Sequence, residues 1–327
     1  MLTQLRRSGH GPLLSPAQLP PGLPSFLQDA SSVFNPGAIQ LDDGSTVLLL
    51  RVQSRGRETA LLRANARPGQ AFDISPDPVR LRGLERIPGQ VFHIYDPRIT
   101  RLEDELLVVL ALDTDRGGRL AIARSHDLHE LELVGLTGDE DTRNGVLFPE
   151  HIGGRIWLLD RLNRAQAPGE PASGESIRAL SSTDLREWRE EGVLFSGRPH
   201  YWDERIGAGP PPLKVREGWL LMYHGVATHF GAAGIYQAGV ALLDRENPTR
   251  VLARCRENIL EPREPWELVG QVPNVVFPSG WTVSHQESDG CAPPDAEITV
   301  YYGAADTCVG AARCTVGELV EACGPIA

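Results

Sequence analysis

The segment "IYDPRIT", Ile94 to Thr100, decides the fold, because variants of it recur along the chain. "FNPGAI" starts at Phe34, "LFPEHI" at Leu147, "GPPPLK" at Gly209 and "NVVFPSG" at Asn274, a spacing of about 50 to 65 residues. Proline excludes helix and supplies no backbone donor, so each copy marks stiff, extended chain entering a strand. Apolar runs broken by polar turns accompany the copies, such as "STVLLLRVQ", "ELLVVLALD", "GRIWLLDRL", "WLLMYHGV" and "EITVYYGAAD". Short β-rich runs bounded by Gly, Pro, Asp or Asn read as strands. Helical patterning is confined to the first 30 residues and to "VGELVEAC". Five repeats of three to four strands predict an all-β, five-bladed β-propeller with an axial pocket, a single domain over residues 1–327. Residues 1–30 are expected to form an N-terminal extension packed on it. A β-sandwich would also use such strands, but it gives no reason for a recurring unit of this length.

The 327-residue chain is 41% hydrophobic, enough for a large core, and carries a formal charge of −11. That acidity argues against a nucleic-acid partner, because phosphate backbones need a basic footprint. No run approaches the roughly 18 apolar residues of a membrane span. The basic start "MLTQLRRSGHGPLL" lacks an apolar signal core. The cysteines, Cys255, Cys291, Cys308, Cys314 and Cys323, are odd in number and hold no Cys-x-x-Cys pair. Buried free thiols in a cytoplasmic protein suit this pattern better than a disulfide frame or a zinc site.

In a propeller the blades surround a central channel. With the proline motifs as the first strands of the blades, Asn35, Tyr95, Asp96, Arg98, Arg143, Glu150, Lys214, His224 and Asp306 converge on one pocket. Each has an ordinary local reading. Asp96 before Pro97 starts turns, and Asn35 bonds nearby backbone. Arg143 and Arg161 can pair with neighbouring acids, and His224 in "MYHGV" reads equally well as a core histidine. Taken together they read differently. Asp96 is a carboxyl in a setting that can make it a general acid. Arg143, Arg161, Lys214 and His224 form a cationic set in an acidic protein, the kind that holds phosphate or a carboxylate. Gly207, Gly209 and Gly225 lack the spacing of a nucleotide loop, no Ser-His-Asp signature occurs, and His151 and His224 lack metal-ligand spacing. No cofactor and no metal are expected.

The motifs "FNPGAI", "YDPRIT", "LFPEHIGGRIWLLDR", "WDERIGAGPPPLKVREGWLLMYHGV", "YQAGVALLDRENPTRV", "PNVVFPSG" and "YYGAADTCVGAA" resemble, in this order, glycoside hydrolase family 130. The resemblance runs from about Phe34 to Ala312. That family contains β-mannoside phosphorylases and some β-mannosidases, built on a five-bladed propeller. The resemblance implies an inverting attack of phosphate on the anomeric carbon of a terminal β-mannosyl unit, linked β-1,2 or β-1,4, with α-mannose 1-phosphate as product. It implies Asp96 as general acid, passing its proton through the mannosyl 3-hydroxyl. It implies Arg143, Arg161 and Lys214 as phosphate ligands with His224 beside them. The triple proline then reads as stiffening the segment that presents Lys214. Asn35, Arg51, Tyr95 and Asp306 would contact the mannosyl ring.

Hydrolytic members lack parts of the basic set, and an inverting hydrolase needs a second carboxylate roughly 6.5–9.5 Å from the acid. Phosphorolysis, with phosphate as co-substrate, is therefore the leading expectation. The alternatives are an inverting β-mannosidase with Glu150 or another acid as base, and a non-catalytic sugar-binding propeller. The expected partners are a β-mannoside oligosaccharide and phosphate, with neither nucleic acid nor membrane. Assembly into a homo-oligomer stays open.

Overall fold

The computed structural model describes residues 4–163, 174–228 and 233–325. Five sheets of four or five strands form the blades of a propeller. Blade 1 comprises Ala30–Gln40, Thr46–Ser54, Thr59–Ala66 and Asp73–Pro78. Blade 2 runs Val91–Leu102, Glu105–Thr114, Gly117–Ser125 and Glu130–Leu136, with Arg80–Arg82 added in parallel outside. Blade 3 consists of Thr142–Leu147, Ile156–Leu162, Ser176–Ser182 and Arg189–Ser196. In blade 4 the inner strand is split into Arg205–Ala208 and Leu213–Val215, because Pro210 to Pro212 cannot donate to the ladder. Gly218–Ala227, Ile235–Leu243 and Val251–Arg254 complete it.

Blade 5 closes the ring with both ends of the chain. Val276–Val283, Glu297–Ala304 and Cys308–Thr315 are joined by Arg6–Arg7 as the outer strand, with Arg7 opposite Ala312. The Arg7 guanidinium forks onto Glu267 at 2.8 and 2.7 Å, and Tyr302 donates to the same carboxylate at 2.8 Å. Glu267 is fully buried. Leu14, Leu23 and Leu27 of the N-terminal segment pack into the core shared by blades 1 and 5. The central strands read as continuous apolar runs because each blade is covered on both faces by its neighbours. "VGELVEAC" is a helix, Val316–Cys323, started by a Thr315–Glu318 capping box. All five cysteines are free and buried.

A shared irregularity in the inner strands prepares the site. In blade 1 the pairing skips from Phe34–Arg51 to Gly37–Leu49, in blade 2 from Tyr95–Ala111 to Arg98–Val109, and in blade 3 from Arg143–Arg161 to Val146–Leu159. Each skip is a β-bulge, which bends the strand and re-aims a side chain. The bulged residues Asn35, Asp96 and Asn144 take left-handed backbone, with φ of 45, 50 and 57°. Below them the blades crowd together: a Cβ on Gly37 would lie 2.7 Å from the Pro97 carbonyl oxygen. Only glycine permits that approach.

Candidate active site

The bulge in blade 2 sets the Asp96 carboxylate against blade 1. Its Oδ1 accepts from Asn35 Nδ2 at 2.9 Å and from Arg51 Nη1 at 3.1 Å. Arg51 is fixed in turn, its guanidinium 4.5 Å from the ring centroids of both Phe34 and Tyr95, a two-sided cation–π clamp. Tyr95 donates its hydroxyl proton to Asp113 Oδ1 at 2.7 Å. Arg143 reaches both members of that pair, with Nη2 2.9 Å from Asp113 Oδ1 and Nη1 donating to the Tyr95 oxygen. Asp306 occupies the turn after Glu297–Ala304, at φ 48°. Burial pushes its carboxyl up to about 6; Arg51 opposes the rise and the Asp96 charge adds to it.

A cationic group lies on the adjoining blades. Arg161 stands opposite Arg143 in the blade 3 ladder, with Nη2 donating to Asn163 at 3.1 Å and Nε buried without a partner. Burial lowers Arg161, with Tyr236 and Asp141 opposing and the Arg205 charge reinforcing. Burial likewise lowers Arg143 to about 10, helped by Arg161 and Arg51. His224 is fully buried, its ring 4.7 Å from Phe277 and 6.0 Å from Tyr236. Burial drives its pKa far below the ordinary value, and Arg161 and Arg98 add to that, so the imidazole is neutral. Neither ring nitrogen has a partner, nor does Asn144 Oδ1. Gly207 faces both groups: a Cβ there would lie 2.7 Å from Asn144 Oδ1 and 2.8 Å from His224 Nε2. Buried polar atoms need partners. An oxyanion that keeps one proton, such as hydrogen phosphate, suits this group: it accepts from the guanidinium forks and the imidazole N–H, and its own O–H can donate to an acceptor such as Asn144 Oδ1.

Two expected residues are elsewhere. Lys214 pairs across from Trp219, whereas Gly207 pairs across from His224. Those rungs are five strand residues apart, which at the usual rise is about 16 Å. Lys214 Nζ bonds Glu150 Oε2 at 2.7 Å and the Asp289 carbonyl at 3.0 Å. Lys214 and Glu150 line a separate cavity of about 420 Å³, with Arg101 and Trp281, where the far ends of all five inner strands meet. Lys214 is therefore no member of the cationic set, and Glu150 is not placed to serve as a base beside Asp96. The displacement has a simple cause. In blades 1 and 2 the proline is the second bulge residue, Pro36 or Pro97, but in blade 3 Pro149 lies beyond the bulge and in blade 4 the prolines follow Ala208. Matching prolines slid the reading of those two strands toward the opposite mouth. Asn35, Arg51, Tyr95, Asp96, Arg143, Arg161, His224 and Asp306 gather at the other end.

Residues 23–324 match the family model described as beta-1,4-mannooligosaccharide phosphorylase, that of glycoside hydrolase family 130. The chain belongs to glycoside hydrolase family 130. It is 32% identical to the 1,2-beta-oligomannan phosphorylase of Thermoanaerobacter sp. (strain X514), across 87% of this chain and 90% of that protein. A beta-1,2-mannobiose phosphorylase of the same organism is 35% identical over 69% of this chain and 68% of its own length. The beta-1,4-mannooligosaccharide phosphorylase of Ruminococcus albus is 29% identical, across 90% and 86%. Among solved structures, the beta-1,2-mannobiose phosphorylase from Listeria innocua in complex with beta-1,2-mannobiose matches with a TM-score of 0.79 at 25% identity, covering 98% of this chain and 99% of that one.

This family-130 chain also carries site residues that the sequence did not announce. Asn144 is the blade 3 counterpart of Asn35 and Asp96, and "TRNGV" hinted at it through an Asn-Gly pair at a strand start. Arg205 heads the inner strand of blade 4 and acts electrostatically on both Arg161 and Tyr236. It stands on the side of the site where Lys214 was expected. Asp113, next to last in the strand "ELLVVLALDT", ties Tyr95 to Arg143.

Proposed function

We propose that the protein is an inverting β-mannoside phosphorylase. It would cleave a terminal β-mannosyl residue from a manno-oligosaccharide with inorganic phosphate and release α-D-mannose 1-phosphate. The observation that carries this reading is the cationic group: Arg143, Arg161 and Arg205 beside neutral His224 and Asn144, on blades 3 and 4. Phosphate is already an anionic nucleophile, so it needs cations to hold it and no base to activate it. Hydrolysis would need a free carboxylate near Asp96; of the carboxylates at this end Asp113 is engaged by Tyr95 and Arg143 and Asp141 accepts from Asn163, which leaves Asp306 as the candidate base.

In this reading Asp96 is the general acid, held by Asn35 and Arg51. Its proton goes to the glycosidic oxygen, by way of the mannosyl 3-hydroxyl, as the bond to the anomeric carbon breaks. Asn35, Arg51, Tyr95 and Asp306 orient the mannosyl ring. The arginines hold phosphate against the face opposite the leaving group, and their charge offsets the crowding of an anionic nucleophile. The relatives above 30% identity described above are named for β-1,2-linked substrates, which makes that linkage the leading candidate. A cytoplasmic setting accords with five buried free thiols. Among the described residues no helix is long and apolar enough to cross a membrane. Turnover of β-1,2- and β-1,4-mannobiose with and without phosphate tests the proposal. Cleavage should depend on phosphate, and equal cleavage in its absence would reject it.

A further inference from the structure

We infer that Arg98 is a positioning residue for the general acid: it locks the Asp96 backbone in the bulge that aims the carboxyl at the leaving oxygen. This rests on the reading of Asp96 as the acid. Arg98 is 1% exposed and crosses the channel, its Nε donating to the Gly209 carbonyl of blade 4 at 2.8 Å. Its Nη1 donates to the carbonyls of Asp96 at 3.2 Å and Pro97 at 3.3 Å, and the Phe277 ring lies 5.4 Å away. A buried guanidinium is costly and is usually matched by a carboxylate. All three bonds here go to carbonyls instead, which stability alone does not explain.

The bulge does explain it. Asp96 sits in left-handed backbone at φ 50°, a state uncommon outside glycine that aspartate tolerates better than most, and one that leaves the carbonyls beside it outside the regular pairing. The bulge also removes Asp96 and Pro97 from the regular ladder. Arg98 Nη1 serves both carbonyls and Nε is anchored across the axis, while Nη2 is buried without a partner. The anchor is stiff, since the Gly209 amide bonds the Met222 carbonyl at 3.0 Å and Pro210 to Pro212 follow directly. The triple proline thus braces the acid's support rather than a phosphate ligand. Burial lowers Arg98 to about 10, with Asp96 opposing, so the brace stays charged at neutral pH. Its charge also helps to keep His224 neutral.

If Arg98 acts through the acid, its loss should matter only where a leaving group needs a proton. R98K keeps the charge but not the forked grip. Turnover in phosphate is measured for wild type, R98K and D96N on the mannobiose that the wild type cleaves and on 2,4-dinitrophenyl β-mannoside, whose phenolate leaves without a proton. D96N should lose most of its mannobiose turnover and little of its aryl-mannoside turnover. R98K should follow the same pattern with a loss of about 10- to 100-fold, part of what a general acid contributes. Its KM for phosphate should change less than about threefold, well under the tenfold that a lost charged contact costs. Equal losses on both substrates, or none on either, overturn the inference. If R98K melts far below the wild type, the same ratio is taken from R98Q. Full mannobiose turnover by D96N would overturn the reading of Asp96 and this inference with it; a D96N defect without the R98K pattern overturns the inference alone.

Discussion

Arg143 and Arg161 occupy the same rung of the blade 3 ladder, so two guanidinium groups stand side by side at the head of one sheet. Each depresses or is depressed by the charges around it: Arg161 contributes to lowering Arg143, and Arg205 to lowering Arg161. Like charges held together in a fold disfavour one another unless an anion joins them. The bulge that shifts Arg143 out of step with Val146 is what places Asn144 in the same group.

Loss of one of these cations should be felt by phosphate and not by sugar. Arg161→Ala is expected to raise the KM for phosphate roughly 10- to 100-fold, the worth of a hydrogen bond to a charged group. The KM for the mannoside should move little. Lys214→Ala is the matched comparison, because that ammonium bonds Glu150 at the opposite mouth. Its KM for phosphate should stay within about twofold of wild type, far inside the loss of one charged hydrogen bond. Initial-rate kinetics with either substrate varied distinguish the two, and the reverse result would exchange their roles.

Asp306 gives the enzyme a pH signature. With its carboxyl raised to about 6 by burial, it is largely ionised at neutral pH and gains a proton as the pH falls through that value. A protonated carboxyl loses acceptor capacity toward sugar hydroxyls. The KM for the mannoside should therefore climb below about pH 6 in the wild type. In Asp306→Asn it should be high and flat across the same range. His224, kept neutral, should add no limb near its ordinary pKa. A wild-type KM that is flat from pH 5 to 7 would remove Asp306 from the sugar site.

Ring closure by the N-terminal strand should be visible in stability. Arg7 pairs with the fully buried Glu267, and removing one partner of a buried ion pair costs about 3–5 kcal/mol. Arg7→Ala should lower the denaturation midpoint accordingly. Burial works to raise the Glu267 carboxyl, but Arg7, two backbone amides and Tyr302 hold it below the ordinary range. A carboxyl lowered on folding stabilises above its unfolded pKa and loses that contribution as the pH falls through the folded value. The wild type should thus lose stability relative to Arg7→Ala on acidification below about pH 4, near the unfolded value of a glutamate. Urea titrations at pH 7 and at about pH 3, below the ordinary glutamate pKa, measure both effects, and equal midpoints at pH 7 would show the pair to be dispensable.

The blades were legible because proline and apolar runs mark strands without any knowledge of register. Asn35 and Asp96 were legible too, since Pro36 and Pro97 occupy the bulges themselves, whereas Arg51, on the neighbouring strand, came only with the family resemblance. Lys214 and Arg205 were confused because only register separates them: one residue follows the prolines and the other precedes them on the same inner strand. A side chain's level along a strand is set by pairing, and one inserted residue moves every partner. Asn144 was missed for the same reason, as its bulge carries glycine in place of proline. The Arg98 brace depends on a carbonyl more than 100 residues away, at Gly209, which no local pattern encodes.

The most direct test is the identity of the product. The protein is incubated with β-1,2-mannobiose in phosphate buffer, and the anomeric region is followed by proton and phosphorus NMR. Phosphorolysis with inversion requires α-mannose 1-phosphate to appear in step with free mannose from the acceptor, one for one, and nothing to happen when phosphate is omitted. Two free mannose molecules per disaccharide, formed at the same rate with or without phosphate, would contradict the assignment and make the arginine group structural.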